Sequence, residues 1–139
     1  MEKDETLLRI NPLPEEVEEL SKTRAISREA VLEDLAETRM AHLEIHCPGL
    51  SPVSVALEER DATIGRGPDS RIQLQLPNVS RMHAIIRYQA EEYVIEDLGS
   101  TNGTLLNGVR VQRCVLRNHD QIQIGDARII FAEERVRLE

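Results

Sequence analysis

Three aromatic side chains, Tyr88, Tyr93 and Phe131, are all that the 139 residues contain, and tryptophan is absent. Recognition of RNA loops and single-stranded DNA leans on interleaved aromatic platforms, so the sequence argues against that class. A surplus of positive charge is missing too. Seventeen Lys and Arg stand against 25 Asp and Glu, a net charge of −8, which does not suit a surface that tracks a phosphate backbone. No apolar run approaches the ~18 residues a membrane-spanning helix needs. The opening segment MEKDETLLRINPLPEEVEEL carries acids and prolines where an export signal would be apolar, so a reducing, cytoplasmic setting is expected. Cysteine is scarce. Cys47 and Cys114 lie 67 positions apart, with no metal-ligand spacing; idle thiols are expected, and the sequence leaves a disulfide open. His42, His46 and His119 share no ligand spacing either, so neither a metal nor a cofactor is expected.

What is present divides the chain in two. Residues 1–42 hold 6 basic and 11 acidic groups, and residues 43–139 hold 11 and 14. The first part reads as a mobile tail over residues 1–12 followed by short amphipathic helices. Leu13, Val17 and Leu20 recur at helical spacing behind Pro14, and Ser27 is placed to cap a helix with Val31, Leu32, Leu35, Ala36 and Met40 on one stripe, ending near His42. Such helices are marginal alone in water. They must dock on the second part, on each other in a homodimer, or on a partner.

From Leu43 onward the pattern is short β runs separated by turn residues. The expected strands are 43–46, 53–57, 62–65, 71–74, 83–88, 92–97, 104–106, 109–111, 121–124 and 127–132. Asn107-Gly108 between apolar positions predicts a two-residue hairpin turn of type I′. Closely spaced strands without intervening helices predict an all-β, two-sheet antiparallel β-sandwich, here with an N-terminal helical appendage.

Three stretches within the β region concentrate polar groups at expected strand ends: Ile64-Gly65-Arg66, Ser80-Arg81-Met82-His83, and Asp97-Leu98-Gly99-Ser100-Thr101-Asn102-Gly103-Thr104. Together they offer two guanidinium groups, hydroxyls and a carboxamide. That set suits a tetrahedral oxyanion carried on an extended peptide. Arginine's planar fork matches phosphate oxygens, hydroxyls and loop N–H groups complete the shell, and an Asn amide can donate to and accept from a peptide backbone.

In these blocks, in their order and in their spacing, residues 43–135 resemble the forkhead-associated (FHA) domain, a phosphothreonine-peptide-binding β-sandwich of FHA/SMAD type. The resemblance implies that Arg66 is the principal phosphate-contacting arginine. It implies that the Ser80 hydroxyl and N–H meet the phosphate, with Arg81 a further contact beside them. It gives Thr101 the completion of the phosphate shell and Asn102 the ligand's main chain. His83 resembles a structural histidine bracing the loops from beneath, and Gly65, Gly103 and Asp97 look architectural. Asn78 falls in the loop that, in this family, reads the third residue after the phosphothreonine. A preference for phosphothreonine over phosphoserine, through an apolar niche for the γ-methyl, is implied as well.

Other readings of these residues are weaker. His83 has no acidic orienter or nucleophile in its local pattern, so it does not read as a catalytic base. Gly65-Arg66-Gly67 lacks the Gly-Lys-Ser/Thr ending of a P-loop. Nothing supplies covalent chemistry, so an enzyme is not expected. The expected function is a phosphothreonine-dependent adaptor in Ser/Thr kinase signalling, its partner a phosphorylated protein or the kinase itself. The small bacterial FHA regulators, which the chain resembles in size and layout, imply a variant in which a phosphorylated tail threonine fills the domain's own site; Thr6 is the candidate here. The competing class is a constitutive assembly protein that uses the helices and binds irrespective of phosphate.

Overall fold

The computed structural model describes residues 7–12 and 38–136. The first half of the chain's strands are β1 (Leu8–Ile10), β2 (Thr38–His46), β3 (Val53–Ala56), β4 (Ala62–Gly65), β5 (Ile72–Leu74) and β6 (Ala84–Gln89). They are followed by β7 (Glu92–Asp97), β8 (Thr104–Leu106), β9 (Val109–Arg110), β10 (Arg113–Val115), β11 (Gln121–Ile124) and β12 (Ala127–Val136). These form two six-stranded sheets, ordered β1-β5-β4-β6-β7-β10 and β3-β2-β12-β11-β8-β9. The fold is therefore the expected all-β sandwich.

Period-two alternation makes the core. In β2, Ala41, Leu43 and Ile45 are buried, and in β11 Ile122 and Ile124 are fully buried while Gln121 and Gln123 face water. Against them pack Ile129 and Phe131 from β12 and, from the other sheet, Ile64, Ile72, Leu74, Ile86 and Ile95. The aromatics form one cluster: Tyr93 stands 4.8 Å from Tyr88 and 5.7 Å from Phe131 between ring centroids. Burial pushes the Tyr93 hydroxyl up to about 12, although it accepts a 2.7 Å bond from the Glu59 N–H, so the ring stays neutral. Asn107 and Gly108 take φ of 51° and 86°, the left-handed pair of a type I′ turn, and the hairpin joins β8 to β9 as its sequence predicts.

Four expectations are corrected. The segment 7–12 is no loose tail: Leu8–Ile10 pairs antiparallel with β5, and the Asn11 side chain donates to the Ser70 carbonyl at 2.7 Å. Three residues are too few to show a period, and what recruits them is β5, buried at all three positions and open on that side. Secondly, Thr38–His42 is strand where the second helix was expected to end. Ala41 continues the i, i+2 burial of Leu43 and Ile45, and β12 supplies partners as far as Val136, so this strand begins at Thr38 and not at Leu43. Thirdly, the sheets are not wholly antiparallel, because β4 and β5 run parallel. Lastly, Arg113–Val115 is a strand with no alternation to reveal it, held on the edge by β7. The helices expected over 14–37, and any homodimer built on them, lie outside the described residues, as does Thr6.

Candidate functional site

The loop after β4 begins at Arg66 and lies against the loop before β6. Gly65 permits this approach, because a β-carbon there would collide with the Arg81 carbonyl oxygen. The Arg66 N–H donates to the Ser80 carbonyl at 2.9 Å, and the Gly67 N–H to the Arg81 carbonyl at 3.0 Å. Arg66 also donates from Nε to the Val79 carbonyl at 3.0 Å, which fixes the guanidinium's direction. Among the described residues its terminal nitrogens have no hydrogen bond or ion pair, and neither does the exposed guanidinium of Arg81.

Beneath these loops sits His83, fully buried. The Ser80 N–H donates to its Nδ1 at 3.0 Å, so Nδ1 is the acceptor, and Nε2 carries the proton it gives to the Gly103 carbonyl at 2.9 Å. Its own backbone donates to Ile64 and accepts from Leu98. One histidine thus ties the loops before β6 and β8 through its ring and the ends of β4 and β7 through its backbone.

The third loop is wound around Asp97. One carboxylate oxygen accepts the hydroxyls of Ser100 at 2.6 Å and Thr104 at 2.7 Å; the other accepts the N–H groups of Gly99 and Ser100 at 3.0 Å each. Burial by itself would raise this carboxyl, but the Ser100 and Thr104 hydroxyls and the two N–H groups outweigh it and hold it below its ordinary value. The Ser100 hydroxyl in turn accepts from the Gly103 N–H at 2.8 Å. Gly103 has φ of 89°, a left-handed turn that presents Thr101 and Asn102 outward.

The loops converge on one rim. The Thr101 N–H donates to the Ser80 hydroxyl at 3.1 Å, and the Asn102 amide donates to the Asn78 carbonyl at 3.1 Å. Arg66, Ser80, Arg81, Thr101 and Asn102 therefore stand side by side, supported by Gly65, His83, Asp97 and Gly103. Four further residues belong to the site, none of them given a role by sequence reasoning. Gln73 is buried in β5 and donates to the Arg66 carbonyl at 3.1 Å, although strand alternation among apolar neighbours would turn it outward. Ser100 and Thr104 stand within the third polar stretch without an assigned role, and the structure shows Asp97 gathering both. Arg110, on β9, reaches across Gly103: a β-carbon at Gly103 would meet its Nε at 2.6 Å. Among the described residues no carboxylate is paired with Arg66 or Arg81: Asp97 is enclosed by its own donors, and Asp69 lines the concavity beside Arg81 without an ion pair to it. An acidic protein here presents a cationic socket lined by hydroxyl and N–H groups. Among the described residues no group of three His, Cys, Asp or Glu is placed to hold a metal.

Comparison with known proteins agrees with this geometry. The family model named FHA domain matches residues 62–125. GarA of Mycolicibacterium smegmatis, a glycogen accumulation regulator, is 43% identical over 75 residues, covering 54% of this chain and 48% of that protein. The oxoglutarate dehydrogenase inhibitor of Corynebacterium jeikeium is also 43% identical over 75 residues, with 54% and 52% covered. The chain thus spans about half the length of the curated relatives it matches. Among solved structures, a domain from a structural and functional analysis of phosphothreonine-dependent FHA domain interactions superposes with a TM-score of 0.61 at 34% identity, over 67% of this chain and 95% of that one. The FHA domain of FhaA, complexed with the intracellular domain of Rv3910, gives 0.60 at 35% identity, over 66% and 98%. With whole solved domains covered almost end to end at about one-third identity, this chain belongs to the FHA domain family.

Proposed function

We propose that the chain is a binding module that reads phosphothreonine in peptides of partner proteins, within Ser/Thr kinase signalling. The observation that carries this is the pair of exposed guanidinium groups, Arg66 and Arg81, which have no acidic partner among the described residues and stand beside the Ser80 hydroxyl and the Thr101 loop. A phosphothreonine brings about 1.5 to 2 negative charges and three strong acceptor oxygens. Arg66 takes the phosphate bidentately, Ser80 and Thr101 close the shell, Arg81 adds a second charge, and the Asn102 amide holds the ligand's main chain. The oxyanion needs no proton transfer here, so the site binds its ligand and leaves it chemically unchanged. The relatives support the reading in kind, being named as regulators and an inhibitor.

The test is a degenerate phosphothreonine peptide library, with affinities of selected sequences measured by fluorescence anisotropy. Phosphothreonine should bind, unphosphorylated threonine should not, and phosphoserine should bind about five- to a hundredfold more weakly, the range one methyl group can supply. Equal affinity for threonine and phosphothreonine would remove the proposal.

A second reading is favoured by the direction of β1. Because β1 runs antiparallel to β5, the Leu7 carbonyl lies beside Gln75, only five residues before Ser80, and the chain enters this strand from the socket end. Phosphorylated Thr6 would then be offered to the socket of its own molecule. Kinase treatment, with mass spectrometry to place the phosphate on Thr6, should abolish capture of an external phosphopeptide. An unchanged peptide affinity would dispose of the idea.

A further inference from the structure

A second concavity opens beside Arg81, a groove of about 220 Å³ whose walls include Thr63, Pro68, Asp69, Arg81, Met82 and Leu98. It adjoins the socket directly, since Arg81 and Gly67 border both. It also lies on a definite flank. Within the loop before β6, Asn78 is on one side of Ser80 and receives the Asn102 amide, while Arg81 is on the other and receives the Gly67 N–H.

The groove is built into the fold. One wall is the turn closed by the Ser70 N–H on the Gly67 carbonyl at 3.2 Å. From outside, the Asn11 amide holds that turn by the carbonyls of Ser70 at 2.7 Å and Pro68 at 3.4 Å. The facing wall is Leu98, whose N–H is fixed on the His83 carbonyl at 2.9 Å. At the mouth stands Met82, 71% exposed, the largest apolar exposure of any hydrophobic side chain described. A thioether is flexible and polarizable, suited to packing against an irregular apolar group.

We infer that this groove is a specificity subsite, and that its occupant is an aliphatic side chain of the same phosphopeptide, on the flank of the phosphothreonine away from Asn102. The inference rests on the socket being the phosphothreonine site. An extended peptide advances about 3.3 Å per residue, so the occupant lies within about three residues of the phosphothreonine.

The experiment uses the full chain and peptides with one fixed phosphothreonine in a Ser/Gly background. A single Leu is placed in turn at each position from three before to three after. In the wild type, Leu on one side only should tighten binding by about five- to tenfold, as expected for burying much of one aliphatic side chain. Met82→Ser and, independently, Leu98→Ser should erase that gain while keeping the wild-type affinity for the Leu-free phosphopeptide. Uniform affinity across the series, a gain alike on both sides, or a gain that survives both substitutions overturns the subsite. Concentration-dependent self-association lost in Met82→Ser would assign the groove to a second copy of the chain and overturn it as well. If the Leu-free phosphopeptide fails to bind the wild type, the socket reading falls, and the subsite with it.

Discussion

Arg66→Ala should weaken phosphothreonine-peptide binding by roughly tenfold to more than a hundredfold and leave the protein folded. Charge-assisted hydrogen bonds to an ionised ligand contribute on the order of 1.5–3 kcal/mol each, and 1.4 kcal/mol is a factor of ten. The side chain is exposed, and among the described residues the one side-chain bond it gives up is Nε to the Val79 carbonyl, so the thermal midpoint should move little. Arg66→Lys separates charge from geometry. It keeps the positive charge but loses the planar fork, and its affinity should fall between those of the wild type and the Ala variant. Titration by anisotropy, with circular dichroism melts alongside, checks both. An Ala variant binding like the wild type would show that the phosphate sits elsewhere.

The second large effect is on stability. Asp97→Asn should destabilise the domain by about 2–4 kcal/mol, because four donors converge on a carboxylate and an amide can accept at only one of its two atoms. For a domain of about 100 residues that is a fall in Tm of order 10–20 °C. The pH dependence has a definite sign. The carboxyl is held below its ordinary value of 3.8, so the folded state binds that proton less readily than the unfolded chain. Its stabilisation is fully present above the ordinary value and is lost as pH falls through the folded-state value. Melts from pH 6 downward should therefore show the wild type losing its advantage over Asp97→Asn below about pH 4. A constant gap across that range would contradict the assignment. Peptide affinity should fall too, since Ser100 and Gly103 aim Thr101 and Asn102.

Most of the sandwich is legible in the sequence, because a strand with one buried face writes its period into the chain. Ile122 and Ile124 alternate with glutamines, and Asn107-Gly108 announces its own turn. The socket is legible for a related reason: groups that meet a ligand must be polar, and polar clusters at strand ends stand out between apolar runs. What does not show is what depends on partners far along the chain. Leu8–Ile10 becomes a strand only because β5 is open on that side, and Thr38–His42 only because β12 runs on to Val136. Gln73, the polar position of its strand, is buried where it holds the Arg66 carbonyl, and nothing nearby in the sequence signals that burial. Met40 and Ala36 fit a helical stripe four apart, while Met40 in fact stands exposed on a strand, 58% accessible.

The strand at the beginning of the chain has a practical consequence for anyone trimming this protein. A polypeptide started at Thr38 would retain every residue of the phosphate socket, yet the backbone amides and carbonyls that now meet Leu8–Ile10 would be bare along Ile72–Leu74. An uncovered apolar margin of that kind invites edge-to-edge joining of molecules. Peptide titrations on so shortened a protein would report the avidity of linked copies together with the affinity of one, and the loss of Asn11 would slacken the Pro68–Ser70 turn at the same stroke.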